Sequence, residues 1–320
     1  MLVDVLKFLC RFTVLSVCIS LSGRAIASEE NQEFEWLDSV HSSVSDSLNH
    51  TAQWVDNYFA DDKLPNFEAK AWGRISVGWE PKAGDLNDFP VKFRLKVRLP
   101  NLEEKVDLIF SDNELDDFDR LPLETSRPQD DKSNSRDFSA AIRLIHKIDD
   151  KSFFSSRVGL GGGTVYGRSL YRWQRVYDEN WRIIVEPAVE YYIGDGFGAR
   201  LQLEAGYHFN PTNEFKWVYS IRDREDYDAP NWKNGAFYIW QQDEDHALIW
   251  SLIAKGVAQP KYREEEYTLS MRWRQRYLRK WLFFEIEPFI DFERQYDFDA
   301  DAGIALRVEG FFGYEILDID

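Results

Sequence analysis

The sequence predicts an all-β chain: an antiparallel transmembrane β-barrel of about fourteen strands preceded by an amphipathic α-helix. Three observations carry this. From residue 67 onward apolar and polar residues alternate with a period of two, as in strands with two unlike faces. The polar face carries full charges. The strands run roughly 10–14 residues, the tilted span a bilayer needs, where roughly 5–6 is usual in globular proteins. Composition agrees. With 30% charged residues the chain is no polytopic helical membrane protein, and with 16% aromatics it is no disordered one. A formal charge of −17 excludes a nucleic-acid binder, because the acidic surplus repels phosphate.

Residues 1–27 read as a secretory signal peptide. Lys7 and Arg11 supply the positive charge, Phe12 to Leu21 the apolar stretch, and Ala25-Ile26-Ala27 the small residues of a cleavage site. The apolar run is shorter than the roughly 20 residues of a helical span. Cys10 and Cys18 both fall inside it, so the mature chain is expected to have no disulfide, no thiolate metal site and no cysteine nucleophile. No metal and no cofactor is expected.

Residues 28–66 form the next segment. Phe34, Leu37, Val44, Leu48, Val55 and Phe59 fall at helical spacing, and Leu64-Pro65-Asn66 ends the run. This periplasmic helix has three readings: a surface anchor, a plug in the barrel, or a cap that meets a periplasmic partner. Asp56, Asp61 and Asp62 argue against anionic lipid, which leaves the plug or the cap.

Residues 67–313 form the barrel, with strands expected near 68–80, 90–99, 104–111, 138–148, 153–163, 167–177 and 181–193. The rest are expected near 198–209, 214–224, 235–242, 246–257, 264–277, 281–293 and 302–313. Val91 to Leu99 is the clearest: every odd residue is apolar and every even one is a cation. Fourteen is an even number, as a bacterial barrel with both termini in the periplasm requires, and twelve is the alternative because 104–111, 158–166 and 235–242 are weak. Short connections follow even-numbered strands, while the long ones, 112–137 and 225–234, follow odd-numbered strands, so the first strand runs outward. Trp72 and Trp79, Trp173 and Tyr177, and Tyr191 and Tyr192 stand near strand ends, as interface girdles do. A repeat relates Ser169 to Trp173 with Ser270 to Trp273, and Trp181 to Pro187 with Trp281 to Pro288. Pro187 and Pro288 fall mid-strand on the lipid face, and a bulge is expected at each. Residues 314–320 are a tail.

Together these features resemble the outer-membrane β-barrel proteins of Gram-negative bacteria. The resemblance covers residues 1–27 and 67–313, and it is architectural, with no named subfamily. It implies a monomer in the outer membrane, surrounded by lipid and lipopolysaccharide, inserted by machinery that reads a C-terminal aromatic such as Phe312. Small solutes are the implied partners.

For such a barrel the charged faces line the lumen. Lys92, Arg94, Lys96 and Arg98 form a cationic ladder that Asp107 on the neighbouring strand cannot neutralise, which marks an anion path. Arg272, Arg274 and Arg276 share the inner face with Glu285, Glu287 and Asp291 of the next strand, and a two-residue turn at Arg279-Lys280 sets Arg274 opposite Glu285 and Arg272 opposite Glu287. These ten residues are the pore-lining candidates. Asp112, Glu114, Asp116, Asp117, Asp119, Glu124, Asp130 and Asp131 read as a solvated external loop. The expected activity is porin-like passage of small solutes. The alternatives are a non-conducting structural or surface-interaction barrel, or a lipid hydrolase or acyltransferase. No enzyme is expected, since His41, His50, His146, His208 and His246 show no convincing serine partner in the sequence.

Overall fold

The computed structural model describes residues 37–39, 41–46, 70–82, 88–99, 106–112, 121–124, 138–149, 151–161 and 163–313. The signal peptide, the tail, most of the expected helix and six of the eight loop acids lie outside the described residues. Residues 37–39 and 41–46 are helical.

The remainder is a closed barrel of fourteen antiparallel strands in sequential order, with β1 (Lys70–Trp79) closing on β14 (Ala300–Gly313). Between them run β2 (Val91–Leu99), β3 (Val106–Ser111), β4 (Ser139–Asp149), β5 (Ser152–Gly161) and β6 (Thr164–Tyr177). Then come β7 (Trp181–Tyr192), β8 (Gly196–Asn210), β9 (Asn213–Arg224) and β10 (Asn231–Gln241). The last are β11 (His246–Val257), β12 (Arg263–Arg276) and β13 (Leu282–Glu293). Of the three weak segments, residues 106–111 and 235–241 are strand, and within 158–166 β5 ends at Gly161 and β6 begins at Thr164. Gly163 has φ +73°, a conformation that costs glycine little.

The barrel is inside-out relative to a water-soluble protein. Ile75, Val77, Ile142, Leu144, Val158, Leu160, Val189 and Leu252 are exposed on the outer wall, whereas Arg168, Glu190, Arg222, Glu285, Glu287 and Arg307 are buried inside. Charged residues are otherwise almost never fully buried. Each outward aliphatic side chain gains roughly 1.5–3 kcal/mol when it leaves water, so the belt accounts for tens of kcal/mol only if it meets lipid. The alternation fixes which way every strand faces, since a one-residue slip would put each charge into the hydrocarbon.

Two of the expected girdle residues point inward. Tyr192 is fully buried, stacked on Tyr166 with ring centroids 5.4 Å apart. Trp72 shares the face of Arg74 and lies 6.1 Å from Phe311. Aromaticity near a strand end does not distinguish the two faces, but position parity does. Trp79, Tyr177 and Tyr191 are exposed on the outside as expected.

No bulge forms at either proline. Leu170 pairs with Ala188 and Trp173 with Val185, so the β6–β7 register is unbroken and only two successive ladder pairs are lost. The same gap recurs between Ser270–Phe289 and Trp273–Ile286 on β12 and β13. The physical reason is local. The missing proline N–H is the one that would reach the carbonyl of Tyr171 or Met271, and losing it deletes both pairs that depend on it. Register shifts occur instead at Ile145/Lys147, His208/Asn210 and Lys255/Gly256. Replacing Pro288 by valine restores the donor. P288V is expected to raise stability by about 0.5–1.5 kcal/mol, read as a higher urea midpoint with unchanged slope.

The long connections, 80–90 and 112–138, both follow odd-numbered strands, which makes that rim the external one by the usual plan of such barrels. At the opposite end of the wall the Gly313 N–H donates to the Ser45 hydroxyl at 3.2 Å.

Candidate functional site

The inner wall encloses a cavity of about 1410 Å³. Its described lining holds fourteen Lys and Arg side chains against seven Glu, the reverse of the balance in the chain as a whole. The acids are concentrated elsewhere, so charge has been sorted by location.

The sorting is also uneven around the wall. From β7 to β14 cations and carboxylates are interleaved and paired. Arg274 Nη1 lies 2.5 Å from Glu285 and 2.7 Å from Glu309. Arg307 donates to Glu80 at 2.7 Å and to Glu287 at 2.6 Å. Glu190 sits between Arg168, at 3.2 Å, and Arg222, at 2.6 Å. Lys82 gathers Asp291, Glu293 and Asp301 within 3.1–3.5 Å.

From β1 to β6 carboxylates become scarce while cations continue. Cross-strand register sets Arg74 opposite Arg94, Arg143 opposite Arg157, and Arg157 opposite Arg168. Like charges directly opposite destabilise a sheet. Two cations 5 Å apart repel by about 1 kcal/mol even at the dielectric constant of water. On β2 to β6 the only described carboxylate facing inward is Asp107, fully buried, which receives Arg143 and lies 3.5 Å from Arg98 and 4.0 Å from Lys96.

Of the ten pore-lining candidates, Lys92, Arg94, Arg272, Arg274, Arg276 and Glu285 line the cavity. Lys96 and Arg98 approach Asp107, Glu287 is buried against Arg307, and Asp291 serves Lys82. The register sets Arg274 opposite Glu285 as expected. The opposition of Arg272 to Glu287 falls in the proline gap, where no ladder pair forms, and Arg272 is directed instead to the Leu123 carbonyl at 3.0 Å. The connection between these strands spans 277–281 rather than two residues, and Tyr277 N–H closes it on the Leu282 carbonyl.

One part of the site was not legible in advance. Within the connection between β3 and β4, residues 121–124 line the cavity. Leu121 is buried against Val218, Phe237 and Ile253, three apolar residues on the inner faces of β9, β10 and β11. The hollow exists because position 235 is glycine, where a Cβ would meet Phe237 at 2.7 Å and Leu121 at 2.8 Å. Leu121-Pro122-Leu123-Glu124 is a tight turn: Glu124 N–H donates to the Leu121 carbonyl at 3.0 Å, and Leu121 N–H donates to the Glu124 carboxylate at 2.7 Å. Leu123 has φ +71°, a position usually filled by Gly or Asn, at a cost on the order of 1–3 kcal/mol. The Glu124 carboxylate lies 3.5 Å from both Lys233 and Lys255, which are cross-strand partners. The signal that could have shown this was Val218, an apolar residue on the charged side of β9.

Three of the described histidines have structural partners. His246 Nδ1 lies 2.7 Å from Asp243, which also accepts the N–H groups of Asp245 and His246. His146 packs against Phe154, and His208 is 3.9 Å from Glu214. At the β9–β10 turn the Arg224 guanidinium holds the Asp226 carboxyl below the usual carboxylate range.

A closed antiparallel wall, apolar outside and charged inside, defines a transmembrane β-barrel of the kind found in Gram-negative outer membranes. No family model matches the sequence, and no curated protein is similar to it. Solved structures to which the chain is similar include a KdgM porin, at 8% identity over 74% of this chain and 98% of that one, with a TM-score of 0.37. OccK11 of Pseudomonas aeruginosa is similar at 11% identity over 77% and 96%, with a TM-score of 0.46. A loop-deletion mutant of OmpT, an outer membrane protein of Vibrio cholerae, is similar at 7% identity over 76% and 99%, with a TM-score of 0.48.

Proposed function

We propose that this protein is an outer-membrane channel whose lumen passes small anionic solutes. The observation that carries this is the run of like-charged partners, Arg74–Arg94 and Arg143–Arg157–Arg168. A purely structural wall gains nothing from placing arginines directly opposite one another. Cations also stand opposite one another on the β7–β14 wall, at Arg200–Arg222 and Lys233–Lys255, but there Glu186, Glu190 and Glu124 lie within 3.5 Å of them, whereas on β2 to β6 the only described inward carboxylate is Asp107. A wall that attracts anions accepts that cost, because the field in a confined lumen raises the local anion concentration. The histidine geometry lends catalysis no support, since Asp243 is engaged by the turn that holds His246. Outer-membrane lipid and lipopolysaccharide surround the apolar belt, and Phe312 is the aromatic offered to the insertion machinery. Residues 28–66 act as a periplasmic cap, a reading supported by Ser45 at the Gly313 end of the wall.

The test is single-channel recording of the refolded protein in a planar bilayer under a KCl gradient. The expected result is conductance steps whose reversal potential lies toward the chloride equilibrium value. Cation preference would overturn the anion reading. Silence, both with residues 28–65 present and with them removed, would overturn the channel itself and leave a structural barrel. Steps only after removal would make that segment a plug.

A further inference from the structure

We propose that the turn Leu121–Glu124 is a displaceable latch, seated in an inner-wall subsite for a solute that joins a carboxylate to a short apolar body. The inference rests on the channel reading for its biological setting, although the subsite is defined by geometry alone.

The subsite has two parts. The first is a cationic clip: Lys233 and Lys255 stand directly opposite each other across β10 and β11, a like-charge pair that favours an anion between them, and the Glu124 carboxylate lies 3.5 Å from each. The second is the apolar hollow of Val218, Phe237 and Ile253, filled by the Leu121 side chain. A single four-residue turn thus presents a carboxylate and a branched four-carbon group to one place on the wall. A small carboxylic acid with an aliphatic tail offers the same two groups.

The turn is also built to leave. Its two internal hydrogen bonds, Glu124 N–H to the Leu121 carbonyl and Leu121 N–H to the Glu124 carboxylate, travel with it. The groups at its ends therefore stay satisfied when it departs, and no buried amide is orphaned. Its grip on the wall comes from the clip, the hollow and the Arg272 bond to the Leu123 carbonyl. Leu123 holds the left-handed backbone that the turn itself requires, so it travels with the turn as well.

The experiment uses the full chain carrying C10S, C18S and I253C. The thiol at 253 then lies beneath Leu121 and reports uncovering of the hollow through its rate of methanethiosulfonate labelling. Sodium hexanoate is expected to accelerate labelling at least fivefold. Sodium acetate, which fits only the clip, and hexanol, which fits only the hollow and controls for membrane perturbation, are expected to leave the rate unchanged. K233M/K255M in the same background should abolish the hexanoate effect. Equal acceleration by acetate and hexanoate, or none by hexanoate, would overturn the proposal. A hexanoate response in labelling with a silent bilayer would sink the channel reading and leave the latch standing; conductance without a labelling response would do the reverse.

Discussion

Replacing Glu190 by alanine is expected to lower the unfolding free energy by about 3–5 kcal/mol, the largest effect of any single substitution considered for this barrel. Glu190 is almost wholly buried and lies between two guanidinium groups that are equally buried. Arg222 donates through Nε at 2.9 Å and Nη2 at 2.6 Å, and Arg168 through Nε at 3.3 Å. The Tyr192 hydroxyl, which accepts from Arg168 at 2.7 Å, ties the same group to β7. Removing the carboxylate leaves two buried cations with their shared counter-ion gone, and the cost is that of the exposed charges rather than of any one hydrogen bond. Urea titration followed by heat-modified gel mobility reads the loss. The triple variant R168M/E190M/R222M should recover most of it, because an apolar cluster needs no counter-ion. A loss under 1 kcal/mol for E190A would mean that lumen water already screens this cluster.

The second large effect separates a functional from a structural account of the arginine run. R94E/R157E is expected to stabilise the barrel and to abolish its anion preference. Glu at 94 would face Arg74, and Glu at 157 would face both Arg143 and Arg168, so three like-charge pairs become opposite-charge pairs. At the usual strength of cross-strand pairs the gain is roughly 1–3 kcal/mol. Meanwhile the lumen loses four units of positive charge. Each unit at about 8 Å in water is worth roughly 0.5 kcal/mol to a passing ion, halved by salt at 0.1 M, and the sign is opposite for anion and cation. The permeability ratio should therefore shift by on the order of tenfold or more toward cations. Greater stability with unchanged selectivity would show that these arginines do not face the conducting path.

Much of this was readable from the chain itself. Alternation in Val91 to Leu99 and in Tyr267 to Trp273 shows which residues share a face, charged side chains cannot be left in hydrocarbon, and Lys92, Arg94, Arg272, Arg274, Arg276 and Glu285 line the cavity. The even strand count and the order of short and long connections follow from the same pattern together with the turn residues. Opposition of Arg274 and Glu285 follows too, since a hairpin fixes the register of its own two strands.

What tertiary structure alone decided is everything that joins parts distant along the chain. Closure of β1 on β14, and with it the Arg307–Glu80 bond across 227 positions, is not written in any local period. Nor is the arginine run, which depends on the registers of three hairpins, β1–β2, β4–β5 and β5–β6. The seating of Leu121–Glu124 on β9, β10 and β11 was read from sequence as a solvated acidic loop, because a loop has no periodicity to reveal a face. Composition reports only that such a segment is polar, whereas a single leucine and a single glutamate decide where it binds. Local chemistry set the faces of the wall. The three-dimensional closure of the barrel determined which charges meet across it, and so what the lumen attracts.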